Sequence, residues 1–202
     1  EQPPKLVFVC SPNNPTGTRV AAAQLSQVLE MFAGKSLVVV DEAYIEFDIE
    51  SSWSAKIPEY ENLVILRTLS KAFALAGIRC GFLLAQPQIV NVLLKVIAPY
   101  PVSEPVAQIA AQALSDEGIK LMQSQVKTLQ QEQSLLIKQC AQFPNWQLMG
   151  DRCANFLLYR IPEKQALMDY LVEQGMLIRD QSKQINLENC LRISVGLSLI
   201  HI

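Results

Sequence analysis

Histidine is almost missing: His201 is the only one among 202 residues. Zinc sites built on several histidines, and Ser-His-Asp or Cys-His machinery, are therefore excluded within this chain. Long apolar runs are missing as well, since nothing approaches the roughly 18–20 residues that cross a bilayer. The longest, Ser36–Val40 and Cys80–Ala85, have the length of buried strands. The five cysteines (10, 80, 140, 153 and 190) are odd in number and contain no CxxC pair. That pattern fits reduced thiols in a cytoplasm rather than a secreted disulfide framework. Nor is there a basic run: 17 Lys and Arg stand against 19 Asp and Glu, a net charge of −2, which speaks against sequence-independent nucleic-acid binding. Neither GxGxxG nor GxxxxGK[ST] follows any strand-like segment, which disfavours a non-catalytic nucleotide-binding module. Internal repeats and low-complexity linkers are absent too.

Half the residues are apolar, the balance of a globular protein able to bury one large core or two small ones. Leu6–Cys10, Ser36–Val40, Leu63–Leu66 and Cys80–Ala85 are short apolar runs of strand character, with helical periodicity over Arg19–Phe32 and Pro87–Ile97. Continuous apolar strands alternating with helices predict an α/β fold whose sheet is covered on both faces. Beyond Pro99 the texture changes. One long helix is expected from about Val106 to Ala141, with Met122, Val126, Leu129, Leu136 and Cys140 along its apolar face and a solvated glutamine face opposite. Asn155–Tyr159, Met176–Arg179 and Cys190–Val195 read as strands and Lys164–Gln174 as a helix, a small α+β unit. The expected division is 1–98 and 99–202.

Ligands of open α/β sheets sit beyond the carboxyl ends of the strands. Four polar clusters fall at such places: Asn13–Gly17, Asp41–Tyr44, Thr68–Lys71 and Arg79. Asp41 directly follows a buried run and is costly there unless a cation meets it, although an aspartate that caps a helix looks the same. Lys71 lies among small and apolar residues. Desolvated, its amine would become a Schiff-base nucleophile; a lysine snorkelling from a helix start is the alternative. Ser70 and Arg79 offer a hydroxyl and a guanidinium to a phosphate. Asn14 could be turn chemistry and Tyr44 could be core. One ligand would satisfy them all. Pyridoxal phosphate has a ring nitrogen suited to a carboxylate, a phenolic oxygen suited to Asn and Tyr donors, an aldehyde suited to lysine and a phosphate suited to Ser and Arg.

Ser11-Pro12-Asn13-Asn14-Pro15-Thr16-Gly17, Asp41-Glu42-Ala43-Tyr44 and Thr68-Leu69-Ser70-Lys71-Ala72-Phe73, followed by Ala76-Gly77, Arg79 and Gly81, resemble the fold-type I, class II pyridoxal-phosphate aminotransferases. The order of the motifs and the thirty positions from Asp41 to Lys71 agree with that family. Asp-Glu-Ala-Tyr-Ile-Glu-Phe, Arg-Thr-Leu-Ser-Lys-Ala-Phe-Ala-Leu-Ala-Gly and Ile-Ala-Pro-Tyr-Pro-Val-Ser resemble, within it, the histidinol-phosphate aminotransferases of enterobacterial type. The resemblance runs from about Lys5 to Gly196. It implies a partial large cofactor domain with a mainly parallel sheet, followed by a small C-terminal domain.

The same resemblance implies roles. Lys71 would hold the cofactor and move protons, and Asp41 would keep its ring nitrogen protonated. Asn14 and Tyr44 would bind the phenolic oxygen, and Ser70 and Arg79 the phosphate. Arg192, in Cys-Leu-Arg-Ile-Ser-Val-Gly, would take the substrate's acidic group. Arg179 is a second candidate for the substrate phosphate, or else a surface ion pair with Asp180. The substrates implied are histidinol phosphate and glutamate, the assembly a homodimer, the compartment the cytoplasm, with no nucleic acid or membrane partner. Relatives acting on aromatic amino acids, or decarboxylating threonine phosphate, would share every cofactor residue.

The family carries a long N-terminal part ahead of these motifs, so a fragment is expected here, poorly stable and nearly inactive on its own. Leu197–Ile202 departs from the family pattern and reads as non-native.

Overall fold

Runs of β-branched and leucine residues five or six long build the first sheet of the computed structural model, which describes residues 2–196. The segment Leu197–Ile202, and His201 with it, lies outside the described residues. Strands β1 (Leu6–Cys10), β2 (Leu37–Asp41), β3 (Leu63–Thr68) and β4 (Gly81–Ala85) are hydrogen-bonded in that order. The β1–β2 and β2–β3 pairs are parallel and β3–β4 is antiparallel, with Thr68 opposite Gly81. Helix α1 (Ala22–Met31) carries the chain from β1 to β2. Its Leu25 and Leu29 are wholly buried against Val38, Val40, Leu63, Ile65 and Trp53, the core beneath this sheet.

The second sheet has the order β5-β6-β8-β7, from β5 (Gln147–Met149), β6 (Phe156–Arg160), β7 (Arg179–Asp180) and β8 (Cys190–Ser194), all antiparallel. Between the sheets in sequence lie α2 (Pro87–Leu93), α3 (Glu104–Ala113) and α4 (Asp116–Cys140), and α5 (Lys164–Glu173) follows β6. Helix α4 ties the two units together. Met122, Val126 and Leu129 pack with Tyr44, Phe47 and Phe156, while Leu136, Ile137 and Cys140 pack under the second sheet with Leu157, Tyr159 and Leu191. That is the apolar stripe expected of it.

Several expectations need correction. The single helix from Val106 to Ala141 is two helices, α3 and α4. Ser115 starts the second by accepting a hydrogen bond from Gly118 N at 3.2 Å, and Asp116 and Glu117 fill its first turn, where the helix dipole favours anions. The glutamine face is not uniformly solvated, because Gln133 is buried. Strand β4, antiparallel within the mainly parallel sheet, is half-buried rather than covered. On β1, Leu6 and Phe8 are exposed, so cover on both faces does not extend to this edge strand. Met176–Arg179 shrinks to the two-residue pairing of β7, and β5 was not anticipated.

Candidate active site

Because β1, β2 and β3 run parallel, their carboxyl ends share one edge of the sheet, and the antiparallel β4 begins at that same edge. Topology alone thus places Asn14, Asp41, Ser70, Lys71 and Arg79 around one rim.

The turn after β1 is held by its own backbone. Asn13 N donates to Thr18 O and Gly17 N to Asn13 O, both at 2.7 Å, and Asn13 Nδ2 donates to Thr16 Oγ1 at 2.9 Å. The Ser11-Pro12 and Asn14-Pro15 peptides are cis. Two glycines let this turn dock on the second unit. Gly17 has φ +66°, and a Cβ there would stand 2.8 Å from Asp151 O; Gly150 has φ +70°, and a Cβ there would run into Thr16 O. In that close approach Asp151 N donates to Thr16 O and Cys153 N to Gly17 O, both at 3.2 Å.

Asp41 ends β2 half-buried; its Oδ1 accepts from Ala43 N at 3.0 Å and starts the turn into Tyr44. Among the described residues no cation pairs with it, so the counter-charge expected there is not found among them. Tyr44 is buried, and its ring lies 5.2 Å from Lys71 Nζ and edge-on to Phe156 at 5.2 Å. Tyr44 is thus core and rim at once. Lys71 itself is half-buried and belongs to no ion pair among the described residues. Ser70 Oγ accepts from Thr68 Oγ1 at 2.8 Å, while Thr68 Oγ1 accepts Ser70 N at 3.1 Å. Arg79 is exposed at the rim, in the left-handed region at φ +54°, and donates to Ala76 O at 3.1 Å. Among the described residues no hydrogen bond joins Ser70 to Arg79.

From the second unit Arg192, on β8, reaches across. Its Nη1 donates to Asn14 Oδ1 at 2.7 Å and its guanidinium lies 5.0 Å from the centre of the Phe156 ring. Its Nε is buried without a hydrogen-bond partner among the described residues, a donor facing no acceptor. Arg179 stands beside Arg192 in the β7–β8 register and is exposed. The ion pair once open to Arg179 goes to another residue: Asp180 accepts from Lys164 Nζ at 2.7 Å. That bond, with a further one from Ser182, holds the Asp180 carboxyl down at about 2.

Three contributors were not foreseen from sequence. Phe156 joins Tyr44 to Arg192 and lies in a strand that reads only as core. The glycine pair 17 and 150 shows itself only once the two units meet. The third is the buried ion pair of Glu42 with Arg67, at 2.9 Å. Each residue stands out singly in the sequence, an acid just past one buried strand and an arginine near the end of the next, but their pairing does not.

The sequence model of the family "Aminotransferase class I and II" matches residues 1–199. Histidinol-phosphate aminotransferase of Pseudoalteromonas atlantica is 61% identical over 191 residues, covering 95% of this chain and 52% of that protein. The crystal structure of histidinol-phosphate aminotransferase from Clostridium acetobutylicum superposes with a TM-score of 0.87 at 25% identity, covering 98% of this chain and 60% of that one. The Sinorhizobium meliloti histidinol-phosphate aminotransferase, solved in complex with pyridoxal-5'-phosphate, gives 0.85 at 23% identity, over 98% of this chain and 54% of that one. The chain spans about half the length of the curated relatives it matches. Its architecture is a partial fold-type I transferase fold, and the chain belongs to the class I and II aminotransferase family.

Proposed function

We propose that the whole protein is a pyridoxal-phosphate-dependent transaminase. It moves the amino group of glutamate to imidazole-acetol phosphate, leaving 2-oxoglutarate and histidinol phosphate. The observation that carries this reading is the Arg192 guanidinium, bonded to Asn14 with its Nε unpartnered, on the rim that also holds Lys71, Asp41 and Tyr44. An anionic substrate beside that rim would fill the missing acceptor.

The donor set fits pyridoxal phosphate: an amine and a carboxylate outside any ion pair among the described residues, a buried phenol, a hydroxyl and a guanidinium. The cofactor, when bound, supplies an electron sink that makes the substrate Cα–H acidic. Lys71 Nζ would hold the cofactor covalently and, once released, would take the proton from Cα and deliver it to the former aldehyde carbon of the cofactor. Asp41 would hold a proton on the pyridine nitrogen. Asn14 and Tyr44 would orient the ring through its phenolic oxygen, and Ser70 and Arg79 would anchor its phosphate. Arg192 binds either acid, because a guanidinium forks onto carboxylate and phosphate alike, and Arg179 adds charge for the phosphate.

The division near Pro99 separates a cofactor-binding unit from a substrate-binding one. The enzyme acts as a homodimer on small molecules in the cytoplasm; among the described residues no helix is long and apolar enough to cross a membrane. The test is turnover by the product of the complete gene. Glutamate should form from 2-oxoglutarate with histidinol phosphate as donor, and Lys71→Ala should abolish it. Preference for phenylalanine, or decarboxylation of threonine phosphate, would overturn the substrate assignment.

A further inference from the structure

The carboxylate of Glu42 is 1% exposed and fully engaged. Oε1 accepts Trp53 N at 2.6 Å; Oε2 accepts Arg67 Nε at 3.1 Å, Arg67 Nη2 at 2.9 Å and Ser52 Oγ at 3.0 Å. Arg67 Nη2 also donates to Ser52 Oγ at 2.6 Å. Since the single Ser52 proton goes to Glu42, Ser54 Oγ is the donor in the 2.9 Å bond between the two serines. The network joins the acid, the arginine, two hydroxyls and two backbone amides, since Ser54 N also donates to Ser52 Oγ at 3.1 Å.

Its place in the fold sets its role. Asp41 is level with Leu66 in the last pairing of β2 with β3, and Glu42 N donates to Leu66 O at 2.9 Å. Glu42 and Arg67 are therefore cross-strand neighbours just where the two parallel strands end. One residue before Glu42 is Asp41 and two after it is Tyr44; four after Arg67 is Lys71. Beyond this point no ladder hydrogen bond joins the two segments among the described residues. What holds them is the ion pair and the packing of Ala43 and Tyr44 with Ala72 and Phe73, the Tyr44 ring lying beside Lys71.

An apolar pair of similar volume would stabilise such a site at least as well, because two buried charges lose much of their mutual attraction to desolvation. Two guanidinium N–H groups converging on one carboxylate oxygen, with the other oxygen held by Trp53 N, add something an apolar pair lacks, a fixed distance and angle. We propose that Glu42 and Arg67 are positioning residues, clamping the ends of β2 and β3 so that Asp41 and Tyr44 stand at a set separation from the Lys71 amine. Glu46 is the other charged group in reach. It is half-buried in the fields of both Arg67 and Glu42, and its Oε2 has no partner among the described residues. Trp53, Ser52 and Ser54 complete the surroundings. The inference rests on Lys71 being the cofactor lysine.

The experiment uses the product of the complete gene, loaded with pyridoxal phosphate, and reads two quantities besides turnover: the pH midpoint of the visible absorbance and the cofactor Kd. Glu42→Gln alone strands a buried guanidinium, so the main variant is Glu42→Gln with Arg67→Gln, which removes both charges together. Arg67→Lys serves as the second, keeping the charge and losing the fork. With either variant the midpoint should move by at least about half a unit and the cofactor Kd rise roughly tenfold, the response to a displaced phenol and carboxylate. An unchanged midpoint and Kd in whichever variant folds, whatever its Tm, would overturn the positioning role. Borohydride labelling of the unaltered protein separates this from failure of the underlying reading. Label on Lys71 with an unmoved midpoint sinks the clamp alone; label elsewhere sinks both.

Discussion

Replacing Gln133 by alanine should cost about 2–3 kcal/mol of stability, although the residue sits in a glutamine-rich helix that sequence alone reads as solvated. Gln133 is 5% exposed on α4, and its Nε2 donates to Ala154 O at 2.9 Å and reaches Phe156 O at 3.5 Å. Alanine would leave the Ala154 carbonyl buried and unpaired, worth roughly 1–3 kcal/mol. The vacated methylenes add about 1 kcal/mol of lost packing. The better helix propensity of alanine returns only a few tenths of a kcal/mol. Urea unfolding of the product of the complete gene measures the result: with a slope near 2 kcal/mol per molar, the midpoint should fall by about 1 M. Gln131 is exposed on the same helix, and Gln131→Ala is the control, expected within about 0.5 kcal/mol of the parent. Equal midpoints for the two variants would refute the argument. Gln133→Glu should be worse than Gln133→Ala, since a carboxylate has no proton to offer two carbonyls.

Burial pushes the Glu46 carboxyl above its ordinary range, more than the neighbouring Arg67 offsets, so folding is penalised when Glu46 ionises. Stability contributed by this group is fully present below its unfolded value of 4.5 and is lost as pH rises through the raised one. Glu46→Gln should therefore stabilise at pH 7, and thermal unfolding near pH 4 should show the gain gone; an equal gain at both would contradict this. Gly150→Ala should lose at least about 1.5 kcal/mol more than Gly34→Ala in chemical unfolding, because both have positive φ but only Gly150 meets a backbone carbonyl. Equal losses would mean the approach of Thr16 to Gly150 is looser than described. Arg192→Lys, which keeps the charge but not the fork, should raise KM for both acidic substrates about tenfold or more, and unchanged KM values in steady-state assays would remove Arg192 from the substrate site.

The candidate rim was legible because its residues are short-range signals at strand ends. Asp41 closes an unbroken apolar run, and Lys71 follows another within three residues of the strand's end, so chain order and topology suffice to bring them near. Arg192 is different. It lies 178 positions from its partner Asn14. Nothing in its own strand announces that contact, and only the family motif pointed to it. The break between α3 and α4 was present as Ser115-Asp116-Glu117 but was masked by helical periodicity continuing on both sides. Gln133 was misread because periodicity registers hydrophobicity and is blind to an amide buried against carbonyls. The Glu42–Arg67 pair needed register: only parallel pairing of β2 with β3 makes residues 25 positions apart into neighbours. The exposed face of β1 has the mirror explanation, an apolar strand whose sequence does not tell an edge from an interior place.

Borohydride trapping shows which lysine carries the cofactor. The product of the complete gene is incubated with pyridoxal phosphate, reduced, digested, and the labelled lysine identified by mass spectrometry. Label is expected on Lys71 alone among the lysines and is lost in Lys71→Ala. Label spread over several lysines of a well-folded protein, or retained in Lys71→Ala, would contradict it.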